Sequence, residues 1–228
     1  MAKPLKNIVH SIIEKLSKFK PTDDFQIPYK FIVDKVHDIR ASMIREEWRN
    51  KNLSQEYYQL VCCIDVECEK AGCTINGMFI SEGTKFYKAT LPKLLSGVGD
   101  DNLLYLGTIG LKNKYTRKSF DGWMNQAGNR WTAYNPNYTI IENEAYLKNL
   151  PTALKRICIL AILDTPQTAC DWNDETSEYP VPSEYRLEML VVKDILSTWG
   201  IVTDEMNDSN ANQGDPRMNS EMSKQANR

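Results

Sequence analysis

Tyr57-Tyr58-Gln59-Leu60-Val61-Cys62-Cys63-Ile64-Asp65-Val66-Glu67-Cys68-Glu69 is the stretch in which the chain changes its period. Before it, apolar residues recur every three or four positions, as on one face of a helix. Within it they alternate, as on a strand with one face buried. Cys62, Ile64, Val66 and Cys68 share one parity, and Cys63, Asp65, Glu67 and Glu69 the other. The stretch therefore predicts a strand. Lys85 to Leu91 reads as its partner, and Gly72 and Gly77 punctuate the interval.

Upstream, Ile8, Ile12, Leu16 and Phe19 form a helical stripe that stops at Lys20-Pro21. Pro28 suits the first turn of a second helix, in which Phe31, Ile32, Val36, Ile39 and Met43 share a face, running to about Asn50. Downstream, strands are predicted at Leu103 to Ile109, Trp131 to Tyr134, Tyr138 to Ile141 and Lys155 to Asp164, with a short helix over Ser119 to Asn125. No helix of crossover length separates most neighbours, so the sheet should be mostly antiparallel. After Tyr179-Pro180-Val181-Pro182, the positions Leu187, Leu190, Val191, Ile195 and Leu196 give a closing helix its apolar face, with Gly200 as a stop. The expected fold is α+β: N-terminal helices and a C-terminal helix packed with a mostly antiparallel sheet, followed by a polar tail. Residues 1–52 read as a helical region, 53–203 as a β-rich core with the closing helix, and 204–228 as a flexible tail. Residues 1–203 can equally form one domain. The tail has no aromatic or β-branched residue from 207 onward, too little apolar surface to offset the entropy of ordering it.

The chain has 228 residues, is 42% hydrophobic, and balances 28 Lys and Arg against 30 Asp and Glu for a formal charge of −2. That is enough apolar content for a sizeable core, and it argues against a uniformly basic nucleic-acid-binding surface. The N-terminus has no apolar h-region or small-residue cleavage site, and no run approaches the roughly 20 apolar residues that cross a bilayer. A protein made in a cytosol, with no membrane partner, is expected. Its six cysteines (Cys62, Cys63, Cys68, Cys73, Cys158 and Cys170) then read as reduced thiols, mostly small buried hydrophobes. Cys63, Cys68 and Cys73 form a cluster, but structural zinc needs paired knuckles, and the second pair is absent. A zinc-binding module is the weaker alternative.

Chemistry finds little support. Leu94-Leu95-Ser96-Gly97-Val98-Gly99-Asp100-Asp101 has the glycines of a nucleotide loop without its lysine and hydroxyl residue. Its adjacent carboxylates read as turn and cap groups. The starts of calcium loops at Asp171 and Asp208 lack the sixth-position Gly and the twelfth-position Glu. Only His10 and His37 are available as a base for a Ser or Cys nucleophile, and neither lies in a catalytic motif. No enzyme, no metal and no cofactor is expected.

Charge asymmetry is more telling. Lys112, Lys114, Arg117 and Lys118 lie together with no acid between them. Residues 164–188 carry seven acids, among them Asp171, Asp174, Glu175 and Glu178, against Arg186 alone. Two ordinary solvated faces would account for this. The alternative is a head-to-tail contact in which one copy's basic face meets its neighbour's acidic face, a heterologous arrangement that closes into rings. Arg130-Trp131 beside the basic patch combines two residue types that anchor interfaces. The N-terminal helices, with eleven Lys or Arg against seven acids over residues 3–51, leave a nucleic-acid-associated protein as an alternative that would also use the 112–118 patch.

Several segments line up in order. They are Lys85-Phe86-Tyr87-Lys88-Ala89-Thr90-Leu91-Pro92, then Leu94 to Asp100, and Leu104-Tyr105-Leu106-Gly107-Thr108. Ile141 to Pro151, Ala161 to Pro166, Tyr179-Pro180-Val181-Pro182 and Thr203-Asp204-Glu205-Met206-Asn207-Asp208 follow. Together, over roughly residues 28–208, they resemble the neck and tail ring proteins of crAss-like bacteriophages. The family's pattern often has Gly after the final Asn-Asp, where this chain has Ser209. The resemblance implies a virion structural protein of the head–tail connector, assembled as a homo-oligomeric ring with twelve subunits the expected count. Such a ring would sit beneath the portal beside other neck and tail proteins, around a channel that passes phage DNA without sequence preference. It further implies synthesis in the bacterial host cytoplasm.

Overall fold

The computed structural model of the chain describes residues 3–18, 27–69, 74–75, 78–79, 86–125, 134–150 and 154–198. Helix α1 (Leu5–Ser17) buries Leu5, Ile8, Val9, Ile12 and Leu16, the stripe legible in the sequence. Helix α2 (Tyr29–Arg49) follows Pro28, whose fixed φ and missing N–H suit a helix start. A closing helix spans Glu184–Thr198. These three helices pack together, with Ile8, Ile12, Ile32, Val36, Val191 and Ile195 in one apolar core that also takes in Tyr179. Their apolar faces have spacings that fit nothing but a helix, which is why the sequence located them well.

The β region is built differently from the expectation. The alternating stretch is not one strand. It yields β1 (Gln59–Asp65) and β2 (Glu67–Glu69), which lie in different sheets. Strand β3 (Thr74–Ile75) pairs with β4 (Met78–Phe79) in a small hairpin. Then come β5 (Phe86–Thr90), β6 (Leu103–Gly107) and β7 (Thr116–Arg117), followed by a short helix α3 (Phe120–Met124) whose N-cap Ser119 accepts a bond from the Gly122 N–H. Strands β8 (Asn137–Ile141), β9 (Glu144–Lys148) and β10 (Arg156–Ala161) complete the β region, and the closing helix becomes α4. The first sheet runs β1-β10-β6 and the second β2-β5-β9-β8-β7. Every pairing is antiparallel except β7 with β8. Two main sheets thus replace the single one expected. Strand β9 went unread because its turn, with Glu142 at φ 56°, carries no glycine to mark it.

A bulge explains how β1 departs from simple alternation. Val61 faces Ile159 and Ile64 faces Ile157, so two residues of β1 oppose one of β10. Val61 and Ile64 therefore both point into the sheet core despite opposite parity. The bulge also decides the cysteines, which corrects the reading of them as reduced thiols. Cys62 is bonded to Cys158 of the neighbouring strand, and Cys63 to Cys170 in the turn after residues 166–168. Cys68 is exposed and takes part in neither disulfide, and Cys73 lies outside the described residues. Cys63 is thus committed away from the cluster considered for zinc.

Helices and sheets meet through the second side of α2. Ala41 and Ile44 pack with Tyr57, Leu95, Val98 and Ile162. The Gly-rich stretch turns here, with Gly97 at φ 84° and Gly99 at φ 58°, conformations open to glycine. Its two carboxylates act as ties: Trp48 Nε1 donates to Asp101 (2.8 Å), and Arg117 pairs with Asp100 (2.8 Å).

Candidate assembly interface

The basic segment leaves β6 through a loop held by local geometry. The Tyr105 hydroxyl reaches the carbonyls of Thr108 (3.1 Å) and Asn113 (3.0 Å). The Thr108 N–H donates to Asn113 O and the Asn113 N–H to Thr108 Oγ1, while the Leu111 N–H returns to Thr108 O. Gly107 makes this possible, since a Cβ there would overlap Asn113 O and the Tyr105 ring. At the tip Gly110 has φ 86° and Leu111 φ 58°. A left-handed leucine is strained, and such strain persists only where the surroundings impose it. Ile109 and Leu111 stand 56% and 46% exposed, flanked by exposed Lys112 and Lys114.

The chain then returns alongside β6. The Tyr115 N–H bonds to Leu106 O, and Arg117 reaches Asp100 just before β6 begins. The basic patch is therefore split. Lys112 and Lys114 sit at the far end of β6 and Arg117 near its start, with Lys118 tied by its backbone to Tyr138 O. Arg130 and Trp131 lie outside the described residues. Trp123 and Tyr138 are buried, Trp123 beneath Lys148 Nζ at 4.0 Å from the ring centroid, whereas Tyr134 is exposed.

Most of the acidic segment is answered inside the chain. Glu175 pairs with Lys6 (2.6 Å) and Asp164 with Lys93 (2.7 Å). Asp174 accepts from Gln167 Nε2 and Trp172 Nε1. Glu188, buried between α1 and α4, accepts from Ser11, Lys15 and Lys3. Burial pushes its pKa up, but those hydrogen bonds outweigh it and hold the carboxyl below its ordinary value. Among the described residues, exposed Asp171 and Glu178 have no side-chain partner.

Two polar groups of α2 are buried: Arg40, which sequence reasoning missed, and His37, whose place beside the apolar stripe suits a hydrogen-bonded structural role. Arg40, fully buried, donates from Nε to Pro180 O (2.6 Å) and from Nη1 to Leu163 O (2.9 Å). His37 shares a 2.7 Å bond with the Tyr179 hydroxyl, and burial lowers its pKa. Arg40 stands four residues after Val36 and three before Met43, on the buried face of α2, and His37 directly follows Val36. They bind helix to loop and sheet, and among the described residues no group of three His, Cys, Asp or Glu side chains is placed to hold a metal. Nor is any described helix long and apolar enough to cross a membrane.

Among the described residues, then, Lys112 and Lys114 on the loop and Asp171 and Glu178 elsewhere have no side-chain partner. The chain belongs to the family described as Phage tail ring protein 2, which matches residues 7–216. It is a phage structural ring protein and a virion component. The family implies a non-enzymatic role. No curated protein matches the chain.

Proposed function

We propose that this protein forms a homo-oligomeric ring of the head–tail connector, beneath the portal and around the channel through which DNA passes, with twelve copies the expected number. The observation that supports assembly through heterologous contacts is the unanswered charge at separate places, Lys112 and Lys114 on the loop and Asp171 and Glu178 elsewhere. Opposite charges left open on one chain favour a copy-to-copy contact in which two different surfaces meet. Arg117 and Lys118, with Arg130 and Trp131 beyond them in the chain, are proposed to border the same contact or the channel. Asp174 and Glu175, already engaged within the chain, would serve as its supporting edge. Native mass spectrometry and electron microscopy of the full chain, alone and with the portal, test the reading. Rings are expected in at least one condition, and a monomer in both would refute it.

A further inference from the structure

The second surface of that contact has a specific place in the fold. A recess of about 410 Å³ opens beside the start of β1, lined by Tyr58, Gln59, Tyr179, Pro180 and Val181 together with the exposed residues Glu56 and Glu178. Neither carboxylate has a partner among the described residues. Lys3, brought near by the bridge of Pro4 to Glu178, is engaged by Glu184 and Glu188 instead.

Strand register fixes where the recess lies relative to the loop. Gln59 pairs with Ala161 and Ala161 with Leu103, so β1 and β6 begin at the same end of their sheet. Gly107 pairs with Cys158 toward the other end, and the loop extends beyond it. A five-residue strand, about 16 Å long, thus separates the recess from the loop along the strand direction. A chain cannot fill its own recess with its own fixed loop across that distance. A second copy, placed head to tail, can.

We infer that the loop Thr108–Lys114 of one copy inserts into the recess of the next, Ile109 and Leu111 packing on Tyr58, Pro180 and Val181 while Lys112 and Lys114 meet Glu56 and Glu178. The inference rests on the ring reading and specifies its contact. Two apolar tips meet the half-buried Tyr58 and Val181 of a mixed lining, and two cations meet two anions, none of the four paired among the described residues. The ties from Tyr105 and Asn113 hold the loop in one shape before binding, which reduces the entropy lost on docking.

Two variants test it, each altering exposed side chains only: Ile109→Asp with Leu111→Asp in the loop, and Glu56→Lys with Glu178→Lys in the recess. Each alone is expected to lose rings and stay monomeric, with a melting temperature near that of the wild type. Mixed, they are expected to give a one-to-one heterodimer and nothing larger, since only one intact loop and one intact recess remain. A chain carrying Lys112→Glu and Lys114→Glu together with the recess reversal is expected to regain rings, which guards against a variant that fails merely by misfolding. Rings that survive the loop variant overturn the inference and leave the ring reading standing. So does a loop variant that forms rings yet no longer joins the other tail proteins, because the loop then faces one of them. A wild-type chain that stays monomeric, alone and co-expressed with those proteins, overturns both.

Discussion

The three-helix layer and the loop after β6 treat charge in opposite ways. In the layer, buried charge is met largely from within: Glu188 takes three donors, and Arg40 reaches two carbonyls while its Nη2 stays without a partner. In the loop, backbone groups are bonded to one another while the side chains at the tip are exposed, without partners among the described residues. An unpaired charge in a dry interior costs several kcal/mol, whereas one in water costs almost nothing until a partner takes it up. Charge in the layer therefore holds the fold, and charge on the loop is free to serve assembly.

The hardest way to break this contrast is Arg40→Ala. It leaves Leu163 O and Pro180 O unpaired in the interior and should cost about 3–5 kcal/mol, read as a fall in denaturant midpoint. Arg40→Met, which keeps much of the volume, should cost less. Next is reduction of the bonds Cys62–Cys158 and Cys63–Cys170, which close loops of 96 and 107 residues. Each is worth about 3 kcal/mol, so melting with and without reductant should differ clearly. Equal melting curves would restore the reading of these residues as simple core thiols.

Acid should probe the layer before the loop. His37 has a lowered pKa, so protonation favours the unfolded chain once pH falls below its ordinary value of about 6.5. Glu188 has a lowered pKa as well, so its contribution is present above the unfolded value of about 4.3 and is lost as pH falls through the folded one. Stability should decline in two steps between pH 7 and 3. Glu188→Gln should flatten the lower step and cost about 1–2 kcal/mol at neutral pH. A full lower step in that variant would show that other carboxylates carry it.

Comparable in size is Gly107→Ala, which pushes a methyl group against Asn113 O. It should cost about 1–3 kcal/mol, seen as faster amide exchange across Thr108–Asn113. The smallest thermal effect belongs to Lys112→Glu with Lys114→Glu, within about 0.5 kcal/mol in the monomer because both side chains are solvated and unpaired. A large thermal loss there would mean that the loop lysines support the fold after all.

The helices were the most legible elements, since Ile8, Ile12 and Leu16 or Leu187, Val191 and Ile195 repeat with a period that only a helix satisfies. Strands were placed but not partitioned. Nothing local at Val66 announces that the chain passes there from one sheet to another, and the bulge at Cys62-Cys63 exists only against β10. The interface was half legible. Lys112 and Lys114 stood out as uncompensated charge, but Ile109 looked like the end of a strand, and Leu111 and Glu56 carried no signal.

By itself, then, the sequence determined the α+β class, the three apolar helical faces, the short helix after Ser119 and the want of catalytic spacing, because these are set by residues near one another in the chain. Only the tertiary structure decided which cysteines join, which acids are already answered, and that the fixed loop and the acid-edged recess lie at opposite ends of one sheet. Those facts depend on register between segments about a hundred residues apart, where pairing energy is shared among many contacts and no single residue carries the signal.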